Sequence, residues 1–188
     1  MKSPATQEIL ERLATLLRSE SRNLLIEYGL QPIQFEALYY FGVCNRYSDT
    51  LMAVTEYLGQ TKGTVSQTLK VLERKELIRK VADAEDKRVS RLSVTRKGRA
   101  LIKRLMPAPS MKSASELLGA EELSSINSAL KRLLGALQQT NQSKSFGLCL
   151  TCSHNIQNSD STYLCGLTQE PLSVEETNLI CREHLQKN

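Results

Sequence analysis

The stretch TKGTVSQTLKVLERKELIRKVADAEDKRVSRLSVTRKG, residues 61–98, decides the fold of this chain. Its first part carries Val65, Leu69 and Leu72 at helical spacing, which predicts a helix with these side chains on its buried face. After this helix, β-branched and apolar residues alternate with charged ones, and the alternation predicts two short antiparallel strands around a tip at residues 84–87. A helix that leads into a small two-stranded hairpin is the pattern of a winged helix.

Positive charge is concentrated in the same region. Residues 60–105 hold fourteen Lys or Arg against five Asp or Glu, a local balance of +9, whereas the whole chain carries +5. The rest of the chain is therefore net acidic. A positive field focused on one helix and one hairpin is typical of a surface that binds nucleic acid.

The predicted helix offers side chains that suit duplex DNA. An α-helix fits the major groove, where the side chains of its N-terminal part meet base edges and phosphates. Ser66 and Gln67 carry the hydroxyl and amide groups that read base edges, and a Gln side chain favours adenine. Lys62, Thr64 and Lys70 are predicted to contact phosphates, which positions the protein without reading sequence.

The hairpin carries further basic side chains. Lys87 and Arg88 at its tip are predicted to enter the minor groove, where the negative potential is strongest. Arg91 is predicted as a further DNA-binding residue, whereas Asp86 is expected to pair with a wing Arg rather than to contact DNA. The helix and hairpin around these charges favour a DNA-binding surface over a run of merely solvated side chains.

Helical patterns flank the stretch on both sides. A fifth helix is predicted from Arg96 towards Leu118, and Pro107 and Pro109 are expected to kink or break it. A sixth, from about Ala120 to Leu137, has a strict 3–4 alternation of apolar residues, which predicts a coiled-coil-like seam that needs a partner helix. Three further helices are predicted ahead of the stretch, over residues 7–25, from residue 32 to Cys44 and from about residue 50 to 58.

Residues from about 8 to 140 resemble the MarR family of bacterial transcription regulators. The resemblance implies a homodimer in which the first, fifth and sixth helices of each chain interlock. It also implies two winged helices that read a palindromic operator about one helical turn apart, and a crevice between the dimer helices and the DNA-reading heads for a small-molecule effector. The sequence departs from the family at Glu76, where Gly is usual, and at Lys87, where Arg is frequent. The resemblance rests on Thr64-Val65-Ser66, Leu69, Leu72, Glu73, Leu77-Ile78, Asp83, Asp86-Lys87-Arg88, Leu92, Val94-Thr95 and Gly98.

The C-terminal 40 residues hold four of the five cysteines in the pattern Cys149-x2-Cys152-x12-Cys165-x15-Cys181-x2-His184. Four thiolates, with the imidazole as a further possible ligand, can chelate one metal ion tetrahedrally. So short a segment has little core of its own, and metal binding would therefore also be folding energy. The predicted ligands are Cys149, Cys152, Cys165 and Cys181, with His184 as a possible fifth.

The identity of the bound group stays open between three alternatives. His184 in the final pair favours zinc, but four thiolates also hold iron–sulfur clusters. The third alternative is a metal-free set of reactive thiols or a reversible disulfide between Cys149 and Cys152. A capping box at Ser173 and Glu176 predicts a short last helix with Cys181 and His184 on one face. His154 is expected beside the ligands or in solvent, and the lone Cys44 is expected as a small buried residue, with a thiol sensor as its alternative.

Composition excludes several classes of protein. Hydrophobic content of 40% and charged content of 24% are those of a globular protein, and no apolar run approaches the roughly 18 residues that span a bilayer. The first residues lead directly into a helix pattern, so we expect no signal peptide, no membrane partner and a cytoplasmic protein. No nucleophile stands with a base, so we expect no enzyme; a thiol–disulfide oxidoreductase built on Cys149 and Cys152 is the remote alternative.

The sequence thus predicts a mainly α fold with a small β-wing, in two parts. Residues 1–140 form a winged-helix domain with dimerisation helices, of which about 33–98 read DNA, and residues 141–188 form a linker and a Cys-rich tail. We expect a homodimeric, sequence-specific regulator of transcription, a repressor, whose tail binds a metal or cluster that stabilises the protein or senses redox or metal state. The alternative is the same regulator with a purely structural zinc knob that docks a partner protein, and an effector in the dimer crevice.

Overall fold

A computed structural model of the single chain describes residues 3–83, 90–141, 144–158 and 162–187. The fold is mainly helical with two small antiparallel sheets, and the predicted fold class is confirmed for the winged-helix part. The helices are α1 (Ser3–Leu25), α2 (Pro32–Val43), α3 (Leu51–Leu58), α4 (Lys62–Arg74), α5 (Arg96–Leu105), α6 (Pro109–Thr140) and α7 (Val174–Thr177). The strands are β1 (Ile78–Ala82), β2 (Ser90–Val94), β3 (Asn155–Gln157), β4 (Tyr163–Cys165) and β5 (Glu170–Leu172).

Threonine caps begin the three helices around the wing. The side chain of Thr50 accepts a hydrogen bond from the amide of Ala53, and Thr61 accepts one from the amide of Thr64. Thr95 caps α5 in the same way through the amide of Gly98. Each cap satisfies a backbone donor that has no partner within its helix, which fixes where α3, α4 and α5 start.

The core lies between α2, α4 and the wing. Leu38 and Tyr40 on α2 are fully buried. The predicted apolar stripe of α4 is confirmed, because Val65, Leu69 and Leu72 are buried against this core. Removing these side chains from water is the main force that holds α4 in place, and it leaves the opposite, polar face of α4 towards solvent.

The predicted wing strands are present and pair antiparallel from Ile78 opposite Val94 to Ala82 opposite Ser90. A close approach of α5 to the base of the wing requires glycine, since a Cβ on Gly98 would lie 2.2 Å from the carbonyl oxygen of Leu77. The wing tip, with the predicted Lys87, Arg88 and Asp86, lies outside the described residues.

The predicted break of the fifth helix near Pro107 and Pro109 is confirmed, although the residues up to Leu118 belong to a new helix. Helix α5 ends at Leu105, and Pro109 occupies the first turn of a separate helix, α6, which continues to Thr140. Proline has no amide hydrogen and its ring clashes within a helix, but it is well suited to a helix start. Gly119, with φ 75°, interrupts α6, so the sixth helix predicted from about residue 120 is the second half of α6.

The tail also differs from the prediction in two places. The polar run from Gln138 to Ser145 predicts a linker, but α6 extends through Thr140, so the linker is shorter than that run. The last helix stops at Thr177, and Cys181 and His184 therefore lie beyond it rather than on one helical face. The chain leaves the helix because residue 180 pairs with Val43 and Asn45 instead. Strands β3, β4 and β5 form one antiparallel sheet in that order.

Two further properties of the helices concern their exposed side chains and their apolar character. No side chain of α6, all of which the structure describes, is buried in the single chain, and Leu130, Leu134 and Leu137 are 42%, 55% and 47% exposed. Among the described helices, none combines the length and the apolar character that crossing a bilayer requires.

Candidate nucleic-acid interface and cysteine site

The polar face of α4 presents the predicted DNA-reading side chains to solvent. Lys62, Thr64, Gln67 and Lys70 are exposed, and Ser66 is partly exposed. The Thr64 hydroxyl lies 2.9 Å from the hydroxyl of Thr61, so the helix cap holds it at the N-terminus of α4. This N-terminus also carries the positive end of the helix dipole, which favours an anion such as phosphate.

A groove of about 510 Å³ runs between α3, α4 and the wing. Lys62, Lys70 and Lys80 line it, with Glu73 as their acidic neighbour. Sequence reasoning missed Lys80 as a site residue. The run Ile78-Arg79-Lys80, which leads directly from α4 into the wing, was the signal that could have found it.

Arg91 is held by protein groups on three sides. Its Nη1 donates to Asp49 Oδ1 at 2.9 Å and to the carbonyl oxygen of Arg46 at 3.0 Å, and its Nε donates to Asp83 Oδ2 at 2.6 Å. Partial burial is the largest single influence and lowers the pKa of Arg91. The hydrogen bonds and charges of Asp83 and Asp49 together outweigh it, and the pKa is raised above its usual value. Arg91 therefore orders the base of the wing, whereas the predicted pair of Asp86 with a wing Arg lies outside the described residues.

The four tail cysteines lie around one small cavity of about 40 Å³. Cys149 and Cys152 stand at the two ends of a single 3₁₀ turn, and the amide of Cys152 donates to the carbonyl oxygen of Cys149 at 3.0 Å. Cys165 ends β4, and Cys181 follows the extended residue Ile180. Three separate parts of the tail thus bring their thiols to one place.

Two of the thiols accept hydrogen bonds from the surrounding tail. The buried side-chain amide of Asn155 donates to Cys149 Sγ at 3.4 Å, and the backbone amide of Leu185 donates to Cys152 Sγ at 3.4 Å. Burial raises the pKa of the Cys149 thiol, and the bond from Asn155 acts in the opposite direction. N–H donors directed at sulfur are the surroundings that a metal-bound thiolate needs.

The two histidines and the remaining cysteine occupy three different surroundings. His184 is buried, and its two ring nitrogens lie 2.7 Å from the Ser145 hydroxyl and 3.0 Å from the Thr151 hydroxyl. Its ring packs on Gly147, where a Cβ would lie 2.5 Å from it. His154 lines the cysteine cavity. Burial raises the pKa of Cys44 to about 12, and this thiol is a buried apolar group, as predicted.

No three Cys, His, Asp or Glu side chains in the described parts of the chain are arranged as a complete metal-binding group. All five cysteines fall within the described residues and are free thiols. The cavity, the convergence of four thiols and the N–H donors are therefore the observations on which an assignment of this site rests.

The comparison with protein families finds a match over about a third of the chain, which overlaps most of the part predicted to read DNA. Residues 28–89 match the MarR family. No curated protein sequence matches the chain. Among solved structures, the chain is similar to S. aureus MepR in a DNA-binding conformation, with 23% identity, a TM-score of 0.61, and coverage of 71% of this chain and 98% of that chain.

Two further structures show the same MarR-type fold. The S. aureus MepR–DNA complex matches with 23% identity and a TM-score of 0.57, over 71% of this chain and 98% of MepR. The transcriptional regulator SlyA matches with 25% identity and a TM-score of 0.59, over 73% of this chain and 96% of SlyA. The shared part is nearly the whole of these proteins, so this chain carries about a quarter of its length in addition to a MarR-like fold.

The MarR-like part and the tail enclose a further cleft of about 1110 Å³ between α2, α3, α6 and residues 144–148. Tyr39 and Tyr57 line it from the MarR-like part, Leu134 from α6, and Phe146 from the tail. The rings of Tyr57 and Phe146 meet edge to face, with centroids 5.3 Å apart. Of the consecutive aromatic residues on α2, only Tyr39 lines this cleft, while Tyr40 and Phe41 are buried in the core.

Proposed function

We propose that this protein is a sequence-specific DNA-binding regulator of transcription that acts as a homodimer and represses its target. The observation that carries the proposal is the exposed polar face of α4, with Ser66 and Gln67, beside a groove lined by three lysines. A duplex placed against α4 would meet base-reading groups along the helix and cations on both sides of it. The match of residues 28–89 to the MarR family, and the likeness to MepR in a complex with DNA, support the same role.

Homodimerisation rests on apolar surface that the single chain leaves exposed. On α1, Ile9, Leu13 and Leu16 are 61%, 45% and 51% exposed, and on α6 Leu130 and Leu134 are 42% and 55% exposed. Apolar side chains repeated along two helices are stable in water when a partner surface covers them. A second copy of the chain supplies that surface, and its two-fold symmetry pairs the two α4 helices with the half-sites of a palindrome.

We further propose that the four tail cysteines bind one metal ion, and that this ion is zinc. The four thiols converge on one small cavity of about 40 Å³, an arrangement that suits a single ion bound tetrahedrally. Four thiolates satisfy the tetrahedral preference of zinc without His184, whose two nitrogens are occupied by hydroxyl groups. Bound zinc would contribute folding energy to a tail with a small apolar core.

Binding to DNA at a series of salt concentrations tests the first proposal. A duplex that the protein selects from a random pool is labelled, and its affinity is measured by fluorescence anisotropy beside that of an unselected duplex. We expect affinity to fall steeply with salt for both duplexes, because lysines neutralise phosphates, and the selected duplex to bind about 10³-fold or more tightly. A flat salt response, or no preference between the duplexes, would contradict the proposal.

Metal content and absorption test the zinc proposal. The protein is purified without oxygen, and its zinc, iron and sulfide are measured before and after exposure to air. We expect a colourless protein with about one zinc per chain. Iron and sulfide with a brown spectrum that bleaches in air would replace zinc by a redox-sensitive cluster, and a protein without either would leave a set of free thiols.

The large cleft beside Tyr57 favours a second candidate property, an effector site in the crevice between the MarR-like part and α6. Its aromatic and aliphatic lining suits an apolar aromatic compound. In this alternative the zinc is a fixed structural knob that docks a partner protein. The fluorescent probe anilinonaphthalene sulfonate should bind the wild type and bind Leu134→Trp less tightly; equal binding would place the probe elsewhere.

A further inference from the structure

Backbone hydrogen bonds join the tail, residues 141–188, to the DNA-reading head, about residues 33–98. Ile180 accepts a hydrogen bond from the amide of Asn45 at 2.9 Å and donates its own amide to the carbonyl oxygen of Val43 at 2.9 Å. On its other side, the amide of Cys149 donates to Leu179 and the amide of Cys181 donates to Gly147. Residues 179–181 therefore lie between the head and the turn of residues 149–152, called the cysteine turn below. Two of the four thiols, those of Cys149 and Cys181, belong to residues that make these hydrogen bonds.

Ion pairs from two arginines, one in the tail and one in the head, also join these two parts; this contact region is called the junction. The guanidinium of Arg182 forms a two-pronged pair with Glu56 on α3, with N–O distances of 2.7 Å and 2.6 Å, and its backbone amide donates to Ser48 Oγ at 2.8 Å. From the head, Arg46 reaches back to Glu176 at 2.7 Å and to Glu170 at 3.1 Å. Two-pronged pairs between Arg and carboxylate fix orientation as well as distance, so the tail is held in one position on the head.

The head segment that receives the tail, residues 43–49, also holds the wing. The carbonyl oxygen of Arg46 and the carboxylate of Asp49 both accept from Arg91, and the backbone oxygen of Asp49 accepts from the amide of Leu92 at 2.8 Å. Thr50, the next residue, caps α3 and pairs with Arg91 in an isolated antiparallel β-bridge. Residues 43–49 are thus bonded to Ile180 and Arg182 of the tail on one side and to the base of the wing on the other.

We infer that metal binding by the tail regulates DNA binding within one protomer, by fixing residues 43–49 and through them the base of the wing. This inference rests on the zinc site proposed above. With the ion bound, Cys149 and Cys181 are tied together, residues 179–181 keep their pairing, and Arg91 is held in place. Without the ion, that pairing loses its support and the wing is less well positioned, so affinity for DNA falls. The tail therefore acts on the head directly through residues 43–49, and the signal does not require α6.

Coupling between two sites is the ratio of DNA affinities with and without the metal, and values of about 5-fold to 150-fold are typical. Zinc-loaded protein and protein stripped by a chelator under reducing conditions are compared on the selected duplex. For the wild type we expect stripping to weaken binding by about 10-fold. The ratio cancels any direct effect of a substitution on affinity, because each variant is its own reference.

A charge exchange across the junction tests the route. Arg182→Glu and Glu56→Arg each place like charges together, and we expect either change to bring the coupling ratio towards one. The double variant Arg182→Glu/Glu56→Arg restores an opposite pair and should recover the ratio. Arg104→Glu is the matched control, since it reverses an arginine in the exposed pair of Arg104 with Glu27 at 3.9 Å, away from the junction, and should leave the ratio unchanged.

The outcomes separate this inference from the proposals beneath it. Zinc content is measured on every sample, so failure to bind zinc would overturn the metal site and the inference together. A wild type that binds zinc but has the same DNA affinity without it would overturn the inference alone. Equal coupling ratios in the wild type and both single variants would also overturn it, because the signal would then not pass through the junction of Arg182 and Glu56.

Discussion

Arg91 on the wing and Asp49 ahead of α3 form an ion pair at 2.9 Å, and this pair ties the wing to the segment on which the tail docks. Asp83 holds the same guanidinium at 2.6 Å from the opposite strand. The sequence pattern predicted Arg91 as a DNA contact. Its donors to Asp49, Asp83 and Arg46 show that it positions the wing, and its contact with DNA stays a prediction.

Arg91→Lys separates these two roles because it keeps the charge but cannot span two carboxylates and a carbonyl. We expect the free energy of unfolding to fall by about 1–2 kcal/mol. Affinity should fall on selected and unselected duplexes alike, with the salt dependence unchanged, since no phosphate contact is lost. Wild-type binding by Arg91→Lys, with a shallower salt dependence for Arg91→Ala, would restore Arg91 as a phosphate contact.

Glu76 adopts a left-handed conformation with φ 59°, at the position where the MarR resemblance implies a usual Gly. The left-handed conformation destabilises the folded state by about 1–2 kcal/mol for a residue with a Cβ. Gly avoids this strain but loses about 0.5–1 kcal/mol of stability, because its unfolded chain has more conformational freedom. Glu76→Gly should therefore stabilise the protein by about 0.5–1 kcal/mol, measured by urea unfolding. The exposed pair of Glu76 with Lys97, at 3.7 Å, adds little to this balance.

Lys70→Gly is the matched control for Glu76, since Lys70 lies in the interior of α4. There Gly should destabilise the protein by about 1 kcal/mol. A destabilised Glu76→Gly variant would show that the Glu76 side chain makes a stabilising contact that outweighs the cost of its backbone conformation.

Gln67 and Lys70 are both exposed on α4, but Gln67 is expected to read a base edge and Lys70 to contact a phosphate. Gln67→Ala should relax sequence preference at one base pair by about 1–3 kcal/mol, whereas Lys70→Ala should weaken all duplexes and lower the salt slope by about one. Affinities on a set of single-base variants of the selected duplex measure both. Equal weakening of all these duplexes by Gln67→Ala would make Gln67 a phosphate contact.

Cys149→Ala should abolish zinc binding, because it removes one of four thiols around the small cavity. Cys44→Ala, a change of the same kind at a buried cysteine that does not line this cavity, should keep one zinc per chain. Zinc content by mass spectrometry and the rate of proteolysis within residues 144–187 measure the two effects. Zinc retained by Cys149→Ala would remove Cys149 from the ligand set.

Leu130→Glu on α6 should convert the proposed dimer to a monomer, since a charge there opposes burial of the exposed apolar side chains of α6. Val174→Glu, on the short tail helix at 58% exposure, should leave the dimer intact. Sedimentation velocity measures both masses. A dimeric Leu130→Glu variant would mean that the second copy covers another surface.

Local signals in the sequence predicted most of the MarR-like part. Thr61 and Thr95 begin helices and Gly59 ends α3, because caps and left-handed turns act within a few residues. Pro109 was predicted only to kink or break a helix, and in the structure it begins α6. The spacing of Val65, Leu69 and Leu72 fixed which face of α4 is buried, and with it which side chains face solvent.

The position of the tail could not be predicted in the same way. Ile180 pairs with Val43 and Asn45, which are more than 130 residues away in the sequence. The spacing of apolar residues within one helix or strand carries no information about a contact so distant in sequence. The same pairing makes residues 179–181 extended, which is why the prediction of Cys181 and His184 on one helix was wrong. The ring of four thiols was predicted from spacing, but its attachment to the head was not.

Hydroxyl-radical footprinting of the zinc-loaded protein on the selected duplex tests the central claim most directly. A homodimer that reads DNA through two α4 helices should protect two patches related by a two-fold axis, with centres about one helical turn, roughly 10 base pairs, or a multiple of it apart. A single unsymmetrical patch, or uniform protection without boundaries, would contradict the account.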